Sequence, residues 1–246
     1  MARLTIFEPL DMGSLSTWTG EILQATSNII SISDGFSQGD YYGNFKYKNG
    51  DIASGTLTGY KYFEDDVVQY SATGLKLNAK TVQNLVYSDD AYGLMELALN
   101  GNDIIDASSY TGDFPTTLYG FNGNDAIYGS DGDGGDYIDG GNGNDKIYGN
   151  AGDDLIIGGL GKDILTGGSG YDGFFFDTKL SSSNVDTITD FFSGEDTLYF
   201  DVSIFTKLPE SIELGDLADN LVIGSKALDS NDYLIFNPKT YTLEMV

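Results

Sequence analysis

A tandem repeat with a period of nine residues runs from Gly120 to Asp172. Each unit has a glycine-rich start, one aspartate, and one large apolar residue two places after it. Successive aspartates are 11, 9, 9, 9 and 9 residues apart, and they are Asp125, Asp136, Asp145, Asp154, Asp163 and Asp172. This pattern predicts a parallel β-roll, or β-helix, in which every unit supplies one turn and one short strand.

Within a unit, the first six residues, such as Gly140–Asp145, are expected to form a tight turn. Glycine suits such a turn because it reaches backbone conformations that are closed to other residues. The next three residues form a strand whose side chains alternate, so Ile147 points inward while its neighbours point outward. The inward positions predict an apolar ladder of Ile127, Ile138, Ile147, Ile156, Leu165 and Phe174.

Two units complete one coil, so the turns alternate between two edges of the roll. Asp125, Asp145 and Asp163 are expected on one edge, and Asp136, Asp154 and Asp172 on the other. Stacked strands lie about 4.7–4.9 Å apart, and carboxylates at that spacing repel one another unless a cation lies between them. Calcium suits this arrangement because it takes 6–8 oxygen ligands in irregular geometry, whereas magnesium demands a tighter octahedron and zinc prefers nitrogen or sulfur.

These residues resemble the calcium-binding nonapeptides of RTX (repeats in toxin) proteins, with the pattern GGxGxDxUx. The resemblance implies calcium as the cofactor, about four to six ions, with ligands from the repeat carboxylates and from carbonyls of the same turns. The implied ligand positions are Asp103, Gly120, Asn122, Gly123, Asp125, Gly129, Asp131, Asp136, Gly140, Gly141, Asn142, Gly143, Asp145, Gly149, Asn150, Ala151, Gly152, Asp154, Gly158, Gly159, Leu160, Gly161, Asp163, Gly167, Gly168, Ser169, Gly170 and Asp172.

The array departs from the pattern in several places. Two extra residues near Asp133-Gly134 are expected to distort the Gly129–Asp136 turn, and the last turn, at Asp172, is expected to hold a half-formed site. Upstream, Asn100–Asp106 resembles one more unit, whose ligand would be Asp103. Residues Ala107–Tyr119 do not repeat and are expected to form an irregular coil.

An EF-hand loop starting at Asp131 is a rival explanation for part of this acidic sequence. Position 12 of such a loop needs a bidentate acid, and that position is Asn142. The EF-hand is therefore rejected.

The charge balance excludes several kinds of partner. Acidic residues outnumber basic ones by 38 to 12, giving a net charge of −26, which argues against nucleic acid and against anionic membranes. From Leu97 to Phe174 every acidic residue is Asp, which favours coordination by short carboxylates. The absence of His and Cys excludes HExxH zinc proteases and Ser-His or Cys-His hydrolases, and no apolar run is long enough to span a membrane.

The residues after the array predict further strands over Asp186–Phe191 and Asp196–Phe200, with a turn at Ser193-Gly194. They resemble the DxIxDFxxGxDxI cap that follows RTX arrays, and a cap would cover the open end of the roll. A final hairpin is predicted from residues 232–236 and 241–244, with its turn at Asn237–Lys239. The terminal Leu243–Val246 resembles an uncleaved type I secretion signal. This agrees with residues 1–16, which lack the apolar run expected of a secretory signal peptide.

The N-terminal residues predict a small α+β domain. Strands are expected in Thr17–Ser33, Tyr41–Lys48, Thr56–Phe63 and Val67–Ser71, with a hairpin turn at Asn49-Gly50. Asn78 is expected to cap a helix over Ala79–Tyr87, and Ser88 or Asp89 a second helix over Ala91–Leu99. The chain is thus divided into residues 1–97, the roll at 98–176, and a cap and secretion region at 177–246.

Eight aromatic residues crowd the N-terminal part and allow two interpretations. They either fill a hydrophobic core, which is the favoured interpretation, or lie exposed and stack on sugars. A core position is also favoured for Trp18. The eight are Tyr41, Tyr42, Phe45, Tyr47, Tyr60, Tyr62, Phe63 and Tyr70. Five acids that could serve catalysis are expected instead in solvated loops; they are Asp40, Asp51, Glu64, Asp65 and Asp66.

This organisation fits three functions to different degrees. The favoured one is a secreted calcium-binding protein of a bacterial matrix or cell surface, exported by type I machinery, with a polysaccharide or a cell surface as partner. The alternative is a small secreted enzyme acting on an extracellular polysaccharide, such as a lyase or epimerase, although about 97 His-free residues leave little room for a catalytic domain. A cytolytic toxin is disfavoured because the long apolar helices it would need are absent.

Overall fold

The computed structural model describes residues 1–6, 21–26, 28–33, 37–48, 51–64, 67–87, 91–179, 181, 183–205, 221–223, 234–237 and 242–245. These ranges are mostly β-strand, with two α-helices in the N-terminal part. The predicted fold class is confirmed. No helix in the described ranges is long and apolar enough to cross a membrane.

The N-terminal part forms an antiparallel sheet with two helices beside it. Its strands are β1 (Arg3–Ile6), β2 (Glu21–Ala25), β3 (Ile29–Ser33), β4 (Ser37–Lys48), β5 (Asp51–Glu64) and β6 (Val67–Asn78), and its helices are α1 (Ala79–Tyr87) and α2 (Ala91–Ala98). The strand order is β1-β6-β5-β4-β3-β2. Helix α1 packs on β5 and β6, and α2 packs on α1 and β6.

Local signals in this part of the sequence predicted its elements well. The Asn78 Oδ1 accepts hydrogen bonds from the backbone N–H groups of Lys80 and Thr81, at 2.9 and 3.1 Å, and so caps α1 as predicted. β4 and β5 pair antiparallel, with Lys48 opposite Asp51, which confirms the hairpin. Its turn residues, the predicted cap residues Ser88 and Asp89, and also Trp18, Asp65 and Asp66, lie outside the described residues.

The aromatic cluster is mainly core, as favoured. Tyr41 and Phe45 are buried, and Tyr60 and Tyr70 pack against the core. Tyr47 is 39% exposed, and its hydroxyl donates a hydrogen bond to the Thr26 carbonyl. The cluster therefore holds the N-terminal sheet together.

The prediction that Asp40 lies in a solvated loop is wrong. Asp40 is in β4 and is buried. Its carboxylate accepts hydrogen bonds from Gln38 Nε2 at 2.8 Å and from the Tyr42 hydroxyl at 3.1 Å. These two neighbours on the same strand supply the partners that allow a carboxylate to be buried there.

The centre of the chain is a parallel β-roll of about five turns, with its strands in two stacks. The first stack contains β7 (Ile104–Asp106), β9 (Ala126–Tyr128), β11 (Lys146–Ala151), β13 (Ile164–Ser169) and β15 (Thr187–Ile188). The second contains β8 (Thr117–Tyr119), β10 (Tyr137–Asp139), β12 (Leu155–Ile157), β14 (Gly173–Phe176) and β16 (Thr197–Phe200). All contacts between neighbours within a stack are parallel.

One apolar side chain from each strand fills the space between the two stacks. The register places Ile127, Ile147 and Leu165 directly above one another in the first stack. All six residues of the predicted ladder are at most 1% exposed, which confirms the inward positions. The ladder also extends beyond the repeat, to Ile105, Leu118 and Ile188.

The prediction of an irregular coil over Ala107–Tyr119 is wrong at its end, because Thr117–Tyr119 forms strand β8. Leu118 is fully buried and aligns with Ile138 of β10. The repeat is hard to see here because Thr116 stands where an aspartate is expected. The turn before it is also longer, since it spans Ala107–Thr116 rather than six residues.

The roll and the N-terminal sheet share a strand. β1 pairs antiparallel with β6 on one side and parallel with β7 on the other, with Leu4 opposite Ile105. Leu4 is 1% exposed and continues the apolar ladder by one position. The sheet therefore runs without a break from the N-terminal part into the first stack of the roll.

The last strands described are β17 (Leu221–Ile223), β18 (Leu234–Asn237) and β19 (Thr242–Met245). β18 and β19 pair antiparallel, which confirms the final hairpin, although Asn237 belongs to the strand rather than to the turn. β19 also pairs with β15 and so covers the end of the first stack. β17, which pairs parallel with β18, was not predicted.

Truncating the apolar ladder should be costly. We expect Ile147→Ala to lower the free energy of unfolding in saturating calcium by about 2–5 kcal/mol, because Ile147 is fully buried between Ile127 and Leu165. Ile164→Ala removes the same atoms at a site that is 38% exposed and should cost about 1 kcal/mol or less. Denaturant unfolding followed by circular dichroism measures both free energies. An equal loss of stability in the two variants would contradict the inward position of Ile147.

Candidate metal sites

Aspartate side chains stack in one column along each edge of the roll. In each column the backbone N–H of one aspartate donates to the Oδ1 of the aspartate one coil further on, at 2.7–3.2 Å. The first column contains Asp103, Asp125, Asp145, Asp163 and Asp186, and the second contains Asp136, Asp154, Asp172 and Asp196. The predicted division of the repeat aspartates between two edges is confirmed.

The second oxygen of four of these carboxylates has no protein partner. The Oδ2 atoms of Asp125, Asp145, Asp154 and Asp163 are buried and accept no hydrogen bond from the described residues. A buried carboxylate oxygen without a partner is strongly unfavourable, because it has lost its hydration and gained nothing in return. These four oxygens therefore need a partner that the protein does not supply, and a cation or a proton would compensate their charge as well.

Each of these oxygens faces the first glycine of its own turn. A Cβ added to Gly140 would lie 2.7 Å from Asp145 Oδ2 and 2.7 Å from the carbonyl oxygen of Gly158, one coil further on. Glycine is required at this position because any side chain would occupy the space between the carboxylate and the carbonyl. Two oxygen atoms, one from the carboxylate and one from the carbonyl, face this space, and oxygen is the ligand atom that calcium prefers.

The turn glycines also supply backbone conformations that other residues seldom adopt. Gly141 and Gly143 have φ values of 86° and 140°, and the equivalent Gly159 and Gly161 have 87° and 144°. The turn can then aim its carbonyls without steric cost. The carbonyls within Gly120–Gly123 and the later turns remain predicted ligands.

Burial raises the pKa of the four aspartates whose Oδ2 atoms lack a protein partner. Desolvation is the largest cause, and neighbouring carboxylates add to it, while the backbone N–H donors oppose it. The pKa is raised from 3.8 to about 7 for Asp125 and Asp145, and to about 8 for Asp154 and Asp163. Bringing these groups together without a cation therefore favours their protonation, whereas a bound divalent cation favours the ionised form.

Some predicted ligand aspartates differ from those four. Asp103 begins its column, and its Oδ1 accepts a hydrogen bond from the backbone N–H of Ala2. Asp131 is exposed and lies outside both columns. Asp136 is in its column, but both of its oxygens are occupied, because Oδ1 accepts from Thr116 N–H and Oδ2 from Ser130 N–H, each at 2.7 Å. The two-residue insertion thus produces a turn that satisfies its own carboxylate, in keeping with the expected distortion.

Residues after the repeat join the columns, and the ligand prediction missed them. Asp186 continues the first column and Asp196 the second, while Asp190 accepts the N–H groups of Gly167 and Gly168 at 3.0 and 2.9 Å. The signal was present in the DxIxDFxxGxD motif, which was assigned only to a cap. The last turn of the repeat is therefore followed by another coil.

Side chains alone do not form a complete metal site in the described part of the chain. No group of three or more Asp or Glu residues is placed to hold an ion there. Any ion between the coils would be held by carboxylates together with backbone carbonyls. The neighbouring carboxylates and glycine carbonyls of the turns provide such a donor set, and it fits calcium better than zinc.

Comparison with known families agrees with this geometry. The RTX calcium-binding nonapeptide repeat, in four copies, matches residues 117–135, 130–165 and 139–174. Residues 117–174 are RTX repeats. The match begins at the first residue of β8, so it includes the strand that the sequence prediction missed. Neither the curated proteins nor the solved structures contain a match.

Removing one column charge should weaken calcium binding by the RTX repeats. Asp145 lies between Asp125 and Asp163, so Asp145→Asn alters two gaps while keeping an oxygen that can accept the Asp125 N–H. We expect the calcium midpoint, followed by circular dichroism, to rise at least about tenfold. Asp113→Asn removes the same charge from an exposed residue outside the columns and should leave the midpoint unchanged. A similar rise of the calcium midpoint in both variants would show that the change in net charge, rather than the loss of a column carboxylate, weakens calcium binding.

The metal-free protein should respond to acid in the direction opposite to ordinary acid unfolding. The folded pKa of Asp154 and Asp163, about 8, exceeds the ordinary value of 3.8. Protonation therefore stabilises the folded roll fully below pH 3.8, and this stabilisation is lost as the pH rises through about 8. We expect β signal in EDTA to grow as the pH is lowered from about 8 to about 5, as measured by circular dichroism. A loss of β signal as the pH is lowered over that range would contradict the raised pKa of Asp154 and Asp163.

Proposed function

We propose that this chain is a secreted RTX protein that calcium folds outside the cell, where it serves as a matrix, surface or adhesion component. The observation that supports this most directly is the set of four buried Oδ2 atoms without partners. Such a roll is poorly suited to an environment without divalent cations. It is suited to one where calcium is always present.

The expected energies are large enough for calcium to act as a folding switch. Extracellular calcium modules have Kd values on the order of 10⁻⁴–10⁻³ M. At about 1 mM calcium, four sites with Kd of ~0.1 mM would contribute roughly 6 kcal/mol together. That is comparable with the whole stability of a typical domain, so calcium-poor cytosol would leave the roll largely unfolded.

Export in an unfolded state fits this switch. A chain of net charge −26 resists compaction through self-repulsion until cations bind. Type I export would then deliver an extended chain to a calcium-rich exterior. There the columns fill, and the continuous sheet orders the N-terminal part together with the roll.

A calcium titration tests the proposal. In EDTA at neutral pH we expect the full chain to lack most of its β signal, and to gain it cooperatively with a midpoint of about 0.1–1 mM calcium. Magnesium at the same concentrations is the matched control and should produce little change, because it dehydrates reluctantly and needs an octahedral site. A full β spectrum after exhaustive chelation would overturn the proposal.

A further inference from the structure

A cleft lies between helix α2 and the turns of the roll. Its volume is about 240 Å³, which is below the roughly 300–1,000 Å³ of pockets that hold drug-sized ligands and suits one sugar ring. We call it the aromatic cleft. Its main lining residues are Tyr92, Glu96, Tyr119, Phe121, Asp139 and Asn142.

Three aromatic rings form one wall of the aromatic cleft. The ring centroids of Tyr92 and Phe121 are 5.1 Å apart at an interplanar angle of 70°, and those of Tyr119 and Phe121 are 6.0 Å apart. Tyr92 is 54% exposed. Part of this wall is therefore open to a ligand rather than closed over by the protein.

Phe121 stands at a position where the repeat calls for glycine. The bridge between Asn122 and Asn142 aligns Phe121 with Gly141 of the next coil. Phe121 has φ of 65°, close to the 86° of Gly141. A non-glycine residue in this left-handed region is sterically strained relative to an ordinary conformation. Strain of this kind is retained where the side chain does something that glycine cannot.

The charged side chains that line the aromatic cleft are carboxylates, which accept hydrogen bonds from a ligand. Glu96 and Asp139 provide carboxylates, and the Asn142 amide is held by a 2.8 Å hydrogen bond from its Nδ2 to Asn122 Oδ1. Among the described residues that line the cleft there is no Lys or Arg. With a net charge of −26, the molecule selects against anionic ligands and favours hydroxyl or ammonium donors.

We propose that the aromatic cleft binds a pyranose residue of a neutral or amine-bearing polysaccharide. The apolar face of the sugar packs on Tyr92 and Phe121, and its hydroxyl or ammonium groups donate to Glu96 and Asp139. This rests on the proposed function, because Phe121 and Asn142 belong to turns of the calcium-folded roll. Polysaccharides built from uronic acids are excluded by charge.

Calorimetric titration of the calcium-loaded full chain tests this assignment with three probes: cellotriose, the trimer of glucosamine, and the trimer of galacturonic acid. We expect cellotriose or the glucosamine trimer to bind with a millimolar or tighter Kd, and the galacturonic acid trimer not to bind. Binding of none of the three, or equal binding of the galacturonic acid trimer, overturns the proposal.

Phe121→Gly separates a binding role from a structural one, because it restores the residue that the repeat pattern calls for. We expect this variant to keep the calcium-induced gain of β signal and to bind the sugar at least about tenfold more weakly, a change of about 1.4 kcal/mol. Tyr171→Ala, which removes a ring that is 64% exposed and outside the cleft, should bind as the unmodified protein does.

Two further variants keep the assignment testable if Phe121→Gly loosens α2. Tyr92→Ala and Glu96→Gln change exposed side chains on that helix, and each should weaken sugar binding several-fold without moving the calcium midpoint. Unchanged sugar affinity in both overturns the assignment. If the unmodified protein gains β signal with calcium but binds no sugar, only the sugar-binding proposal is overturned. If calcium causes no gain of β signal, the proposed function is overturned.

Discussion

The structure depends on how buried carboxylate oxygens are compensated. Successive coils bring aspartates against one another. In Asp125, Asp145, Asp154 and Asp163 a backbone N–H satisfies only one of the two carboxylate oxygens. The other oxygen shares the space beside a turn glycine with the carbonyl oxygen of the following coil. A cation bound between these oxygens, or a proton on the carboxylate, stabilises that arrangement. When a cation is bound, the carboxylate oxygens hold successive coils together. Without a cation, the same oxygens repel one another.

The apolar core of the roll is too thin to offset this repulsion by itself. Most strands of the roll contribute one fully buried side chain, such as Ile138 or Ile156, to a single row between the two stacks. A globular domain of similar length buries several layers, whereas here each coil contacts only its neighbours. The stability of the roll is therefore a sum of local contributions, and the ions supply a large share of each.

Much of the candidate site could be predicted because the nine-residue period converts sequence spacing directly into spatial position. The spacing of Asp125, Asp145 and Asp163 was enough to place them on one edge. The period did not reveal the coil in which Thr116 replaces the aspartate. It also did not reveal the column position of Asp186, because the motif around Asp186 was assigned to a cap. Strand β1 could not be placed from the sequence, because nothing local indicates that Arg3–Ile6 would lie beside Ile104–Asp106, about a hundred residues later.

That unpredicted pairing changes what calcium binding can control. β1 hydrogen-bonds to β6 of the N-terminal sheet and to β7 of the roll, and Leu4 continues the apolar ladder. The end of the roll is thus covered by a strand that also belongs to the other sheet. Ordering the roll completes the pairing of β1, and α2 is then held against the turns beside Phe121. Metal binding along the columns would in this way set the shape of the surface that α2 forms with the turn at Phe121.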